Sequence, residues 1–170
     1  MKITKAWAMP NGDTFSIKPI KGLFRRYNKG GGVIVDPFAK DSKLGTITND
    51  LNPLCDTDCH MDALEFLTML PSNYADIVIF DPPYSATQAA YLYHKYGMEK
   101  LKIKVSNYKY WSLCKKNVAR ILKDGGICIF CGWNTNAIGK CNGATQEEIL
   151  IVSHGGGHND TLVTVERIKK

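Results

Sequence analysis

The chain alternates short apolar runs with amphipathic stretches. Val33-Ile34-Val35-Asp36 and Asp76-Ile77-Val78-Ile79-Phe80-Asp81 are continuous apolar runs ending on aspartate, and Ile127-Cys128-Ile129-Phe130-Cys131 is a third. Runs of this length predict strands buried on both faces. Thr46-Ile47-Thr48 and Cys59-His60-Met61 predict weaker strands, and residues 148–152 and 161–165 predict the last pair. The glycine-rich turn 154–160 leaves no room for a helix, so this last pair forms an antiparallel hairpin. Residues 17–27 predict a helix capped by Ser16, with Pro19 in its first turn and Gly30-Gly31-Gly32 beyond its end. Residues 63–70 and 111–122 predict two more helices, the last stopped by Asp124-Gly125-Gly126. Between Asp81 and Trp111 the pattern predicts a connection of more than 20 residues without regular structure. Connections that long in compact domains usually carry function.

The sum is an α/β fold in one domain, 1–170. Its seven-stranded sheet is mostly parallel, with a C-terminal antiparallel hairpin. Such sheets bind ligands at the carboxyl ends of their strands. That rule selects Asp36-Pro37-Phe38, Asn49-Asp50, Asp62, Asp81-Pro82-Pro83-Tyr84, Gly132-Trp133-Asn134 and the turn 154–160. Carboxylates gathered on one rim call for ligands.

Composition narrows the class. At 44% hydrophobic and 22% charged, the 170 residues read as a globular protein. No apolar run approaches the roughly 20 residues of a membrane span. Met1 to Trp7 lacks the apolar core of a signal peptide, which predicts a cytoplasmic protein with reduced thiols. Cys128 and Cys131 form a CxxC inside a strand, and an odd offset there sends the two thiols to opposite faces. Cys55, Cys59 and His60 lack the paired spacing of a structural zinc site, so no metal is expected and the cysteines read as small buried hydrophobes.

The formal net charge of +6 has an address. Residues 85–116 hold seven lysines (Lys95, Lys100, Lys102, Lys104, Lys109, Lys115, Lys116) and one acid, Glu99, while the remainder is neutral. Tyr91, Tyr93, Tyr96, Tyr108, Tyr110 and Trp111 are interleaved with them. Cations meet phosphates and flat rings stack on unpaired bases, so this segment, with Tyr91, Lys95, Lys100, Lys102 and Lys104 foremost, is the candidate nucleic-acid surface.

Asp81-Pro82-Pro83-Tyr84 after a buried strand resembles the signature of the amino-group methyltransferases that use S-adenosylmethionine, (Asp/Asn/Ser)-Pro-Pro-(Tyr/Phe/Trp). The chemistry suits an exocyclic amine whose lone pair is delocalised into its ring. The Asp81 carboxylate and the Pro82 carbonyl can accept its N–H bonds, two prolines stiffen the turn, and Tyr84 offers a face to a base that has left the helix. Ser16-Ile17-Lys18-Pro19 and Val33 to Phe38 resemble the family's cofactor motifs. The resemblance implies a Rossmann-like methyltransferase sheet, with Ser16, Lys18 and Pro19 near the methionine end of S-adenosyl-L-methionine. It also implies Asp36 near the amino group, Phe38 near the adenosine, Asp50 at the ribose and Asp62 at the adenine amine.

The sequence departs from the family where Gly-Ser-Gly is expected, having Lys40-Asp41-Ser42. Glycine there permits close backbone approach to the cofactor. Few residues separate Ala39 from Thr46, so the crossover helix must be short or replaced by a turn. No block separate from the fold could serve as a target-recognition domain, which leaves the 85–109 connection, the 133–143 loop and the 154–160 turn as candidates and implies a short recognition site, relaxed specificity or a homodimer. An aspartate at the first motif position favours, within the family, N6 of adenine in double-stranded DNA with the target base flipped. The same transfer to RNA or to cytosine N4, and a non-catalytic nucleic-acid-binding subunit of a methyltransferase complex, are the alternatives.

Overall fold

The computed structural model describes residues 1–97 and 108–170. Its elements run β1 (Lys2–Trp7), α1 (Lys18–Tyr27), β2 (Ile34–Asp36), β3 (Ile47–Thr48), α2 (Ala63–Met69), β4 (Ala75–Phe80), α3 (Ala86–Lys95), α4 (Tyr108–Ile121), β5 (Leu122–Gly132), β6 (Ala144–Ser153) and β7 (Thr161–Ile168). Short 3-10 turns at Thr14–Ser16 and Lys140–Asn142 complete the set. The strands form one seven-stranded sheet in the order β1-β6-β7-β5-β4-β2-β3. Only β7 runs against its neighbours, β5 and β6, so the expected hairpin is present in a parallel sheet.

The number of strands agrees with the sequence reading, but their membership differs. β1 pairs in parallel with β6 as an edge strand, and nothing in its mixed pattern marked it. The predicted strand at 59–61 is reduced to a single bridge between Asn49 and Cys59. Residues 37–46 carry no helix, so turns replace the crossover between β2 and β3.

Strand alternation divides the core between two faces. Val35, Val78, Phe80, Cys128 and Phe130 face α2, α3 and α4. Ile34, Ile77, Ile79, Ile129 and Cys131 face α1 and the 3-10 turn before it. Cys128 and Cys131 therefore lie on opposite sides of the sheet, as the odd offset requires. Cys114, Cys128 and Cys131 are buried, whereas Cys55 and Cys59 are half-buried and Cys141 is exposed, so only three of the six behave as core hydrophobes. Among the described residues no cluster of three or more His, Cys, Asp or Glu is placed to hold a metal. No helix there is long and apolar enough to cross a membrane.

The described part of the connection after Asp81 is not irregular. α3 occupies much of it, started by Ser85, whose Oγ accepts the Gln88 amide at 3.1 Å. Gln88 Oε1 in turn accepts the Tyr84 amide at 3.0 Å. Ser-x-x-Gln, the spacing of a capping box, marks this start in the sequence, although Gln88 takes the amide before the cap residue. The lysine-rich composition concealed it.

Arg120 joins α4 to the end of α2. Its guanidinium donates to the carbonyls of Leu67 and Leu70, each at 2.8 Å, and so satisfies orphan acceptors of the last turn. Arg120→Ala is expected to lower unfolding free energy by about 1.5–3 kcal/mol, the range for charged hydrogen bonds, as measured by urea denaturation.

Candidate functional site

The carboxyl ends of β2, β3 and β4 open onto one cleft of about 480 Å³, within the range of roughly 300–1,000 Å³ usual for small-molecule sites. Asp36, Phe38, Asp50, Asp81, Pro82 and Tyr84 all line it. These six were singled out in the sequence from three strand ends, and the sheet brings them together.

Asp36 closes β2 and is buried, with 2% of its surface exposed. Its Oδ1 accepts the Phe38 amide at 3.1 Å. Among the described residues no basic side chain forms an ion pair with it. Burial, with Asp81, Asp50 and Asp13 nearby, pushes its carboxyl up to about 8. Gly45 lets the chain pass close by, since a Cβ there would lie 3.0 Å from Asp36 Cβ. Phe38 stands in the cleft with its ring edge-on to Phe80 at 5.4 Å.

Asp50 follows β3. Its Oδ2 accepts the Lys40 amide at 2.9 Å and its Oδ1 the Asn52 amide at 2.8 Å. Each oxygen keeps a second lone pair for a ligand hydroxyl. Lys40 has φ +50°, the left-handed conformation natural to glycine.

Asp81 and Tyr84 turn off the end of β4. The Tyr84 hydroxyl donates to Asp81 Oδ1 at 2.9 Å, and the Thr14 hydroxyl lies 3.5 Å from that of Tyr84. Desolvation raises the Asp81 carboxyl, while hydrogen bonding from Thr14 and Tyr84 and the charge of Lys40 oppose the shift. Burial and the adjacent Asp81 raise the Tyr84 hydroxyl further. The Tyr84 ring meets Trp133 edge-on at 5.8 Å. Trp133 is 46% exposed and stands just beyond β5. In sequence its loop, 133–143, is one of three candidates for target recognition.

The remaining expected cofactor residues lie elsewhere. Ser16, Lys18 and Pro19 do not line the cleft, and the preceding segment Asn11 to Phe15 does. Ser16 does not cap α1 either, because its Oγ donates to the Asp13 carbonyl and Ile17 takes the cap position. Asp62 is buried one residue from the lining residues Met61 and Ala63. Its Oδ1 accepts the amides of Leu64 and Glu65, capping α2, and its Oδ2 accepts the hydroxyls of Tyr93 and Tyr110 at 2.6 and 2.7 Å. The protein itself thus uses both oxygens.

The basic, aromatic segment also divides. Tyr93 and Tyr110 turn into the core, whereas Tyr91 is exposed on α3 and Tyr108 on α4. Gln88, Leu92, Tyr93 and Tyr96 make α3 one wall of the cleft. Lys95 carries its Nζ 5.3 Å from the Tyr96 ring centre. Lys115, on α4, is instead half-buried, with its Nζ 5.6 Å from the Phe130 ring centre. Lys100, Lys102 and Lys104 lie outside the described residues.

Solved structures share this architecture. A 1,6-didemethyltoxoflavin-N1-methyltransferase from Burkholderia thailandensis, solved with 1,6-didemethyltoxoflavin and S-adenosylhomocysteine, matches with a TM-score of 0.63 at 8% identity, over 94% of this chain and 80% of its own. The N-methyltransferase NodS from Bradyrhizobium japonicum WM9, solved with S-adenosylhomocysteine, matches at 0.59 and 12% identity, over 94% and 90%. TrmN from Thermus thermophilus matches at 0.57 and 15% identity over 89% of this chain but 49% of its own, so the chain spans about half the length of TrmN. No family model matches the sequence, and no curated protein matches it. At these identities the likeness establishes the fold, a Rossmann-like methyltransferase sheet.

Proposed function

We propose that this protein is an S-adenosylmethionine-dependent methyltransferase acting on the exocyclic N6 amine of adenine in DNA. The observation that carries the proposal is the Asp81-Pro82-Pro83-Tyr84 turn, set on the wall of a cleft that also presents Asp36 and Asp50. The cleft fits the cofactor chemically. S-adenosylmethionine offers an ammonium, a ribose diol and an adenine ring. Asp36, buried without a cationic partner, would hold the ammonium; Asp50 would accept the ribose hydroxyls, and Phe38 would pack on the adenosine. Bound there, the cofactor supplies a methyl group made electrophilic by a positive sulfur.

The rest is done by the chain itself. Asp81 and the Pro82 carbonyl accept the two N–H bonds of the target amine and draw its nitrogen toward sp³ geometry. Both prolines hold these acceptors before the reaction, so little reorganisation is needed. Accepting the methyl group would leave this nitrogen with a positive charge and a proton to lose. A proton then leaves the nitrogen, and the Asp81 carboxylate, raised by burial, is placed to receive it. Tyr84 and Trp133 form an aromatic corner for a base extruded from the duplex. The lysine-rich segment after Tyr84, with Tyr91 and Lys95 exposed on α3, supports nucleic acid as the partner.

The test is incubation with methyl-labelled S-adenosylmethionine and duplex DNA, followed by separation of nucleosides. Label is expected in N6-methyldeoxyadenosine. Label confined to RNA in a parallel reaction, label at cytosine N4, or no label in any nucleic acid overturns the reading.

A further inference from the structure

The cleft is rich in acids and, among the described residues, holds one cation. Asp13, Asp36, Asp41, Asp50 and Asp81 line it, and among the described lining residues Lys40 is the single basic side chain. Lys40 is anchored on one side by its amide, which donates to Asp50 Oδ2 at 2.9 Å. Its side chain crosses to the other side, where Nζ donates to the Gly12 carbonyl. Gly12 belongs to the segment Asn11 to Phe15, which lines the cleft in front of Asp81 and Tyr84 through Thr14. The charge on Lys40 reaches Asp81 and opposes the rise of its carboxyl.

This inference rests on the methyltransferase reading above. We propose that Lys40 binds the carboxylate at the amino-acid end of the cofactor, its ammonium exchanging the Gly12 carbonyl for that anion.

The argument is one of charge. The amino-acid end of the cofactor is a zwitterion. Its ammonium finds acids throughout the cleft, but its carboxylate meets five aspartates that repel it. It needs a cation, and Lys18, which sequence resemblance placed at this end, does not line the cleft. Lys40 does. A neutral carbonyl is a weaker partner for an ammonium than a carboxylate, so the exchange is favourable. A glycine at this position would satisfy the left-handed backbone more easily. The strained lysine at φ +50° is then explained by what its side chain supplies. Lys40 is exposed, so solvent screens the contact and its effect is moderate.

The test is calorimetric titration with S-adenosylhomocysteine and with its decarboxylated analogue, which keeps the ammonium and lacks the anion. In Lys40→Met, affinity for S-adenosylhomocysteine should fall by about 10-fold, the low end of a charged hydrogen bond, with affinity for the analogue unchanged. Lys40→Arg should retain the discrimination. Lys40→Gly suits the backbone, so it should fold as the wild type does and bind as Lys40→Met does. Equal losses for both ligands would show Lys40 to be only a strap between the two walls. Unchanged affinity for both would remove it from the site altogether. Either result overturns the inference while leaving the methyltransferase reading standing. A wild-type protein that binds neither ligand overturns both.

Discussion

Asp81→Ala is expected to lower kcat for methyl transfer by about 10²–10⁴-fold, the scale of a positioned proton acceptor. Binding of S-adenosylhomocysteine should stay within a few-fold of wild type. The separation follows from position. Asp81 stands on the turn after β4, while the groups proposed for the cofactor follow β2 and β3. Asp81→Asn should lose less, because its amide oxygen still accepts an N–H of the substrate amine while the proton acceptor is gone. Neither loss will reflect unfolding. Desolvation already raises the Asp81 carboxyl, so replacing it with a neutral group relieves an unfavourable burial. Thermal melting at neutral pH should show both variants folded, with Asp81→Ala lowered by no more than the lost Tyr84 hydrogen bond, about 1–3 kcal/mol. A variant that keeps its turnover would remove Asp81 from the chemistry, and one that loses cofactor binding in equal measure would move it to the cofactor site.

The second large effect is a pH dependence. In the ligand-free protein the Asp36 carboxyl is held up to about 8, against 3.8 for a free side chain. Between those values the folded protein keeps a proton that the unfolded chain has released. Stability contributed by this group is therefore greatest at low pH and is lost as pH rises from about 4 toward about 8. Asp36→Asn should flatten that slope and raise the melting temperature of the ligand-free protein at pH 8. Ligand binding runs the other way. An ammonium beside Asp36 favours the ionised carboxylate, so binding must expel the proton. Affinity for S-adenosylhomocysteine should then rise with pH, by up to about tenfold per unit below the carboxyl's pKa, and level off above it. Calorimetry in buffers of different ionisation enthalpy should record the released proton directly. An affinity that is flat with pH, with no proton released, would place the ammonium elsewhere, and Asp36→Asn should show that flat profile.

Much of this site is visible along the chain because strand ends are local events. An apolar run that stops at an aspartate shows both the strand and the residue it presents. Asp36, Asp50 and Asp81 were found in this way, and a parallel sheet brings such ends to one rim. Phe38, Pro82 and Tyr84 followed from the motifs beside them. α3 was missed despite a capping signature at Ser85 and Gln88, because lysines and tyrosines hid the weak apolar stripe behind it. β1 was missed because it is an edge strand, stabilised by its partner β6 and not by its own pattern.

Other roles could be settled only by the folded chain. Asp62 ends a strand-like run as Asp50 does, and in sequence the two look equivalent. Tertiary packing separates them by bringing Tyr93 from α3 and Tyr110 from α4 onto one Asp62 oxygen, while the amides of α2 take the other. Lys40 shows the converse. In sequence it is a departure from a glycine motif, and in the fold it becomes the single cation among the described residues lining an acidic cleft. Sequence alone indicated six of the seven strands, β2 to β7, and the rim their carboxyl ends share, because periodicity and side-chain type are properties of neighbouring residues. Which carboxylates remain open to a ligand, and which are consumed by the protein, was decided by the tertiary structure, because hydrogen bonds between residues distant in sequence determine which lone pairs are left.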